Sequence, residues 1–300
     1  MKKLVHFLLV LNFALLLFSC KEDKAPEPSG NGGTGNNTAG PRLYFTFKFD
    51  STQQRLNNLG QPSVIPAGNA AQTPLFRKMS AHYIEMTPEA LTGLGQGLVL
   101  YHAPETTLGG ETAIEFDKSV RVGEGEEFFS IPLSQVNAGT YKYLRVSLAY
   151  QNYDIQFKYD TFNLQGSVAS FIGYNTYITQ HKPKDVSVVV NANKKQGYWA
   201  FETVGQIIQG QAPPGATTVP NPIFATSPVP QGSCVVTGPF ASPLVISANE
   251  TKDIHIVVSL SVNKSFEWKD HNSPDGIYEP GAGDTVVDMG VRGLIPIVFR

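Results

Sequence analysis

Apolar residues recur at every second position in segment after segment of this chain, and a period of two specifies strands with one buried face. Leu43, Phe45, Phe47 and Phe49 alternate with Tyr44, Thr46, Lys48 and Asp50. Ile254, Ile256, Val258, Leu260 and Val262 alternate against His255, Ser259 and Ser261. Between these, Thr140 to Tyr150 sets Leu144, Val146, Leu148 and Tyr150 against Tyr143, Arg145 and Ser147, and Asp154 to Tyr159 repeats the pattern with Ile155, Phe157 and Tyr159. Further strands are predicted at 79–86, 97–102, 112–116, 127–132, 167–179, 186–192, 197–203, 234–237 and 294–299. Only 88–93 and the stretch around Ser134–Val136 suggest a helical turn. With 28 Gly, 21 Pro and a charged fraction of 16%, the pattern predicts an all-β fold, an antiparallel β-sandwich with long Pro/Gly-rich loops.

Prolines interrupt this pattern in 212–243, at Pro213, Pro214, Pro220, Pro222, Pro228, Pro230, Pro239 and Pro243. Each removes a ladder donor, so the stretch reads as a long surface loop and not a central strand. A module boundary within 208–233 is the alternative. The remainder after it is too short and open-edged to close a sandwich alone, which favours a single domain over 42–300.

The N-terminal segment is of another kind. Lys2-Lys3, a largely apolar run from Leu4 to Phe18, then Ser19-Cys20, have the layout of a lipoprotein signal over residues 1–19. The run is shorter than the roughly 20 residues of a membrane-spanning helix. Cleavage before Cys20 leaves that thiol to carry the lipid, which makes a membrane the first expected partner. Residues 20–41 then form a flexible tether, rich in Gly, Asn and Pro over 24–41. Its length allows a reach of up to about 70 Å at ~3.3 Å per residue.

The cysteine count adds a constraint. With Cys20 acylated, Cys234 has no partner in the chain, so the exported domain must be held by its core without a disulfide. Flanked by Ser233 and Val235-Val236, Cys234 reads as a small buried apolar residue. Removing residues 1–19 removes Lys2 and Lys3 and no acid; 23 − 2 = 21 basic against 25 acidic residues gives −4. No basic stripe exists, so nucleic acid is not an expected partner.

The chemistry-bearing residues fall into three groups. Asp270, Asn272, Asp275, Glu279 and Asp284 lie in one Asp/Asn/Gly/Pro-rich segment and offer oxygens for a calcium cage. The segment resembles the Asp-x-Asn-x-Asp-Gly loops of dockerin and EF-hand type, with Asp275 one position late and Gly281 where the terminal carboxylate belongs. An Asx-turn loop accounts for the same composition. His82, on a predicted strand with Ile84 and Met86, offers imidazole and thioether for copper. Two pleats separate His82 from Met86, roughly 13 Å, so sharing an ion requires a bulge, and a core-lining Met with a hydrogen-bonded His is the favoured alternative. Tyr198 and Trp199, with Tyr150, Tyr153, Tyr174 and Tyr177 elsewhere, could stack on a sugar or small molecule, or pack in the core. No H-E-x-x-H, G-x-S-x-G, P-loop or G-x-G-x-x-G occurs, and Glu126-Glu127, as strand neighbours, point to opposite faces. The expectation is a binding protein for a small molecule, metal or glycan, not an enzyme; a glycan-degrading protein is the further alternative.

Two resemblances extend this reading. Lys21-Glu22-Asp23 after Cys20 resembles the lipoprotein export signal of Bacteroidota, which implies an outer-membrane lipoprotein displayed on the cell surface. A charged, solvated start to the tether is the plain alternative. Residues 43–150, through Phe45-Thr46-Phe47-Lys48-Phe49-Asp50, Lys78-Met79-Ser80-Ala81-His82-Tyr83-Ile84 and Ile131-Pro132-Leu133 to Ala138-Gly139-Thr140-Tyr141, resemble the copper-binding domain associated with methanobactin operons. That resemblance implies a β-sandwich using a histidine and a modified tryptophan around copper. Trp199 and Trp268 both lie outside the resembling span, so the tryptophan ligand does not carry over.

Overall fold

A computed structural model describes residues 40–212, 234–271 and 274–300. The expected signal peptide, Cys20, nearly all of the expected tether, Asn272 and residues 213–233 lie outside the described residues. The strands, in chain order, are β1 (Arg42–Asp50), β2 (Asn69–Gln72), β3 (Leu75–Thr87), β4 (Leu98–His102), β5 (Glu105–Thr106), β6 (Ala113–Glu115), β7 (Glu127–Pro132), β8 (Gly139–Tyr159), β9 (Phe162–Phe171), β10 (Asn175–His181), β11 (Val188–Lys195), β12 (Tyr198–Thr203), β13 (Gln206–Gln211), β14 (Val235–Ile246), β15 (Ile254–Ser261), β16 (Phe266–Lys269), β17 (Thr285–Met289) and β18 (Leu294–Phe299). The fold is all-β, as the alternation predicts.

One sheet has the order β18-β15-β1-β7; the larger one runs β13-β12-β9-β8-β3-β4, with β14 also pairing β8. Their facing sides make the main core. Leu43, Phe45, Phe47, Ile254, Ile256 and Val258 come from the first sheet, and Met79, Ile84, Met86, Leu144, Val146 and Leu148 from the second. Each side chain of this kind contributes about 1.5–3 kcal/mol on full burial, which is how the domain coheres with no disulfide among the described residues. Two smaller sheets, β11-β10-β6-β5 and β17-β16-β2, add to this body.

Several expectations need correction. Not every pairing is antiparallel: β1 pairs β15 in parallel over Leu43–Asp50, and β10 pairs β6 in parallel. The strands expected at 140–150 and 154–159 are one 21-residue strand, β8. A bulge where Ser80 pairs Tyr150 but Ala81 pairs Leu148 leaves Ala149 extra and exchanges the two faces. Tyr150 therefore leaves the face of Leu148 and packs with Phe116 and Phe171, while Tyr153 and Ile155 join the main core. The strand expected at 167–179 is broken between Phe171 and Asn175. Residues 88–93 begin as a bend and turn and form no helix. The Pro-rich stretch is not loop throughout, because β14 pairs one side of β8 with a register shift between Pro239 and Leu244. An edge strand with an irregularity tolerates Pro239 and Pro243. After it, β15 lies between β1 and β18, so residues beyond the Pro-rich stretch complete sheets begun before it.

Candidate metal centre

A second irregularity builds the site. In β3 the pairing with β8 shifts again between Ala81, opposite Leu148, and Tyr83, opposite Ser147, so His82 is carried on a bulge. Ala81 and Ile84 remain in the main core, and His82 with Tyr83 is turned away from it. The His82 carbonyl accepts from Ala103 N at 2.8 Å, pinning the bulge to the turn that follows β4. That turn, Ala103-Pro104, takes the chain from His102 at the end of β4 to Glu105 at the start of β5.

Here the side chains converge. His82 Nε2 lies 2.8 Å from Glu105 Oε1, and His102 Nε2 lies 3.3 Å from the same oxygen. The hydroxyl of Tyr174, in the break between β9 and β10, donates to that oxygen at 3.1 Å. The rings pack as tightly as the polar atoms: Tyr83 sits 4.4 Å from His82 and 4.3 Å from His102, and Tyr174 sits 5.0 Å from His82. One ligand atom from each of His82, His102 and Glu105 lies within 4.8 Å of the others, the only such group of His, Cys, Asp or Glu among the described residues.

The electrostatics suit a ligand set. His82 is 1% exposed, and burial pushes its pKa down to about 4 against the opposing pull of Glu105, so at neutral pH its ring is neutral. Burial works against the charge on Glu105, but its hydrogen bonds to His82 and Tyr174 outweigh this and hold its carboxyl below the usual range. The pair is therefore a neutral imidazole donating to a carboxylate. Its Nδ1 has no partner, so the ring is held by Nε2 and by stacking. Burial first, then Glu105, pushes the Tyr174 hydroxyl well above the usual phenol range. Neutral imidazole nitrogens with a carboxylate are the donors of zinc, copper, iron and nickel sites.

The sequence-predicted residues are distributed otherwise. His82 is in this cluster, but Met86 is not: it is buried in the main core, opposite Leu98 and Leu144, because the bulge separates its face from that of His82. In the 270–284 segment the acids serve the backbone. Asp270 accepts from Gly276 N at 2.9 Å, Asp275 from Ile277 N at 2.9 Å, and Asp284 from His271 N at 3.0 Å and Glu279 N at 2.8 Å. Glu279 pairs with Lys158 at 2.6 Å. These are turn-capping contacts, and the described carboxylates of this segment form no ligand cluster.

Tyr198 and Trp199 go to opposite faces of β12. Tyr198 is buried, with its hydroxyl donating to Gln209 Oε1 at 2.6 Å, so it offers no open face for stacking. Trp199 is part-exposed and lies over Gly210 of β13, where a Cβ would stand 2.4 Å from its Cζ2. It lines a cleft of about 1310 Å³ together with Phe157, Phe201, Ile208 and Tyr278.

The sequence reading missed His102 and Glu105, and named Tyr174 only as an aromatic for stacking. A usable signal existed for the first two: pairing the predicted strands 79–86 and 97–102 sets His102 beside His82, and His-Ala-Pro-Glu returns a carboxylate through a turn. Comparison with protein-family models, with curated proteins and with solved structures gives no match in any of the three.

Proposed function

We propose that this chain is a lipid-anchored, surface-displayed, non-catalytic binding protein that holds a divalent transition metal through His82, His102 and Glu105. The observation carrying the reading is the convergence of two imidazole nitrogens on one carboxylate oxygen at 2.8 and 3.3 Å, with the buried imidazole neutral. A neutral imidazole keeps one nitrogen unprotonated, so His82 can ligate through Nε2 once its N–H shifts to the unpartnered Nδ1, and an ionised carboxylate offsets the charge of the ion. The resemblance of residues 43–150 to the methanobactin-associated family points to copper as that metal. Anchoring rests on Cys20 and its preceding signal, and display at the surface on Lys21-Glu22-Asp23.

The test is a titration of the full-length lipoprotein in detergent with copper and zinc, followed by calorimetry, alongside His82→Ala. One ion per chain, lost in the variant, supports the reading. Absence of binding, or equal binding by the variant, rejects it. For the anchor, Cys20→Ala should release the protein from the membrane fraction; continued membrane retention contradicts lipid attachment.

Trp199 favours a second ligand class. Its indole lines the apolar cleft, where a sugar ring or another flat small molecule could stack. Quenching of its fluorescence by a soluble glycan panel supports that reading, and an unchanged spectrum throughout removes it.

A further inference from the structure

We infer that Tyr174 is the fourth ligand of this centre, and that the resulting nitrogen–oxygen donor set takes copper in its cupric rather than its cuprous state. This rests on the metal reading above. Tyr174 Oη lies 3.1 Å from Glu105 Oε1, the oxygen on which both imidazoles converge. A cation drawn to these nitrogens and this carboxylate therefore has the phenol oxygen beside it.

The tyrosine is also held in place. Ile172 N and Gly173 N both donate to Ala149 O at 2.9 Å, tying the break between β9 and β10 to the bulge of β8. On the other side Asn175 Nδ2 donates to Thr112 O at 3.0 Å. Gly173 approaches so closely that a Cβ there would stand 2.6 Å from Ile114 Cδ1 and 3.2 Å from Ala149 Cα. The segment before Tyr174 thus has no room to shift, and its ring packs on His82. Rigid placement of a ligand on fixed elements is what a preorganised metal site requires.

The selectivity follows from which donors are absent among the described residues. Cuprous copper favours thiolate and thioether; imidazole and oxygen donors suit the cupric ion, which also stands highest among the divalent first-row metals. Met79, Met86 and Cys234 belong to the main core, and Met289 packs against it. No described sulfur is left for the cluster. On binding, the Tyr174 O–H bond breaks, its proton passes to solvent, and an Oη–copper bond forms; no electron is transferred.

The test uses the full-length lipoprotein in detergent. Titration with cupric sulfate should develop a visible phenolate-to-copper charge-transfer band that saturates at one equivalent. Tyr174→Phe should still bind cupric ion, about tenfold or more weakly, without that band and with an unchanged far-ultraviolet circular dichroism spectrum. In an anaerobic competition against bicinchoninate, the wild-type protein should surrender cuprous copper. An identical band and affinity in Tyr174→Phe overturns the ligand assignment, and retention of cuprous copper as tightly as cupric overturns the selectivity. Cupric binding that His82→Ala leaves untouched instead rejects the metal reading itself, and the inference with it.

Discussion

His82 Nε2 and Glu105 Oε1 lie 2.8 Å apart although the first is on a β3 bulge and the second begins β5. The contact exists because the bulge turns His82 out of the core while the Ala103-Pro104 turn brings Glu105 back over it. His82 is enclosed while His102 and Glu105 are exposed, so the cluster is open to solvent on one side.

Loss of the carboxylate should be felt as affinity. Glu105→Gln keeps the shape and a hydrogen-bonding oxygen but removes the charge that balances a divalent ion. Metal binding should weaken by at least about tenfold, measured by competition with a chromophoric chelator; unchanged affinity places Glu105 outside the site.

A buried ion pair elsewhere should be costly to break. Arg145 Nη1 lies 3.3 Å from Glu85 Oε2 with both side chains fully enclosed, and Gly97 N donates to Glu85 Oε1 at 2.5 Å. Glu85→Ala leaves the Arg145 charge buried without its partner and should cost about 3–5 kcal/mol in urea unfolding. The double variant Glu85→Leu/Arg145→Met should recover much of that, because the expense lies in the orphaned charge.

Two glycines should respond differently to a methyl group. At Gly238 a Cβ would stand 2.2 Å from the Leu294 carbonyl oxygen, backbone of β18 that cannot turn aside. At Gly210 it would meet the Trp199 indole at 2.4 Å, a side chain that can rotate toward the cleft. Gly238→Ala should therefore lower the melting temperature more than Gly210→Ala, with a cost of about 1–3 kcal/mol or above. Only Gly210→Ala should shift the tryptophan emission.

Stability should fall on mild acidification through His181. Burial pushes its pKa from 6.5 down to about 4, with its ring against Phe171 and Tyr198. Between these values the unfolded chain binds the proton and the folded chain does not, so stability is full above about pH 6.5 and declines toward pH 4. The largest loss is ~3 kcal/mol at 1.36 kcal/mol per pH unit. His82, its pKa likewise pushed down to about 4 by burial, adds a loss of the same sign over the same range, so His181→Gln should lessen the slope in urea melts without abolishing it; an unchanged slope assigns it to His82 and other groups.

Cys234 should be inert. Burial pushes its thiol up to about 12, so almost no thiolate exists at neutral pH. Labelling with a thiol-specific reagent should occur at the unfolding rate, and rapid labelling of the native protein contradicts this placement.

The strands and the main core were legible because alternation is local. Leu43 to Phe49 and Ile254 to Val262 bury the residues the pattern selects. The site was legible only at His82. Its partners depend on bulges, and a bulge is a change of one residue in pairing register that leaves no mark in the alternation of a single strand. The same blindness put Met86 on the face of His82 and Tyr150 on that of Leu148. Tyr174 was hidden in what reads as an unbroken strand, and Pro239 and Pro243 concealed an edge strand because prolines report lost donors without saying which edge is free.

The most direct measurement of the central claim is metal content. The full-length chain and its His82→Ala/His102→Ala variant would be incubated with equal copper and zinc, dialysed together, and analysed by inductively coupled plasma mass spectrometry. A centre built by His82, His102 and Glu105 predicts one transition-metal ion per wild-type chain and none above background in the variant. Equal metal in the two proteins, or none in either, contradicts it.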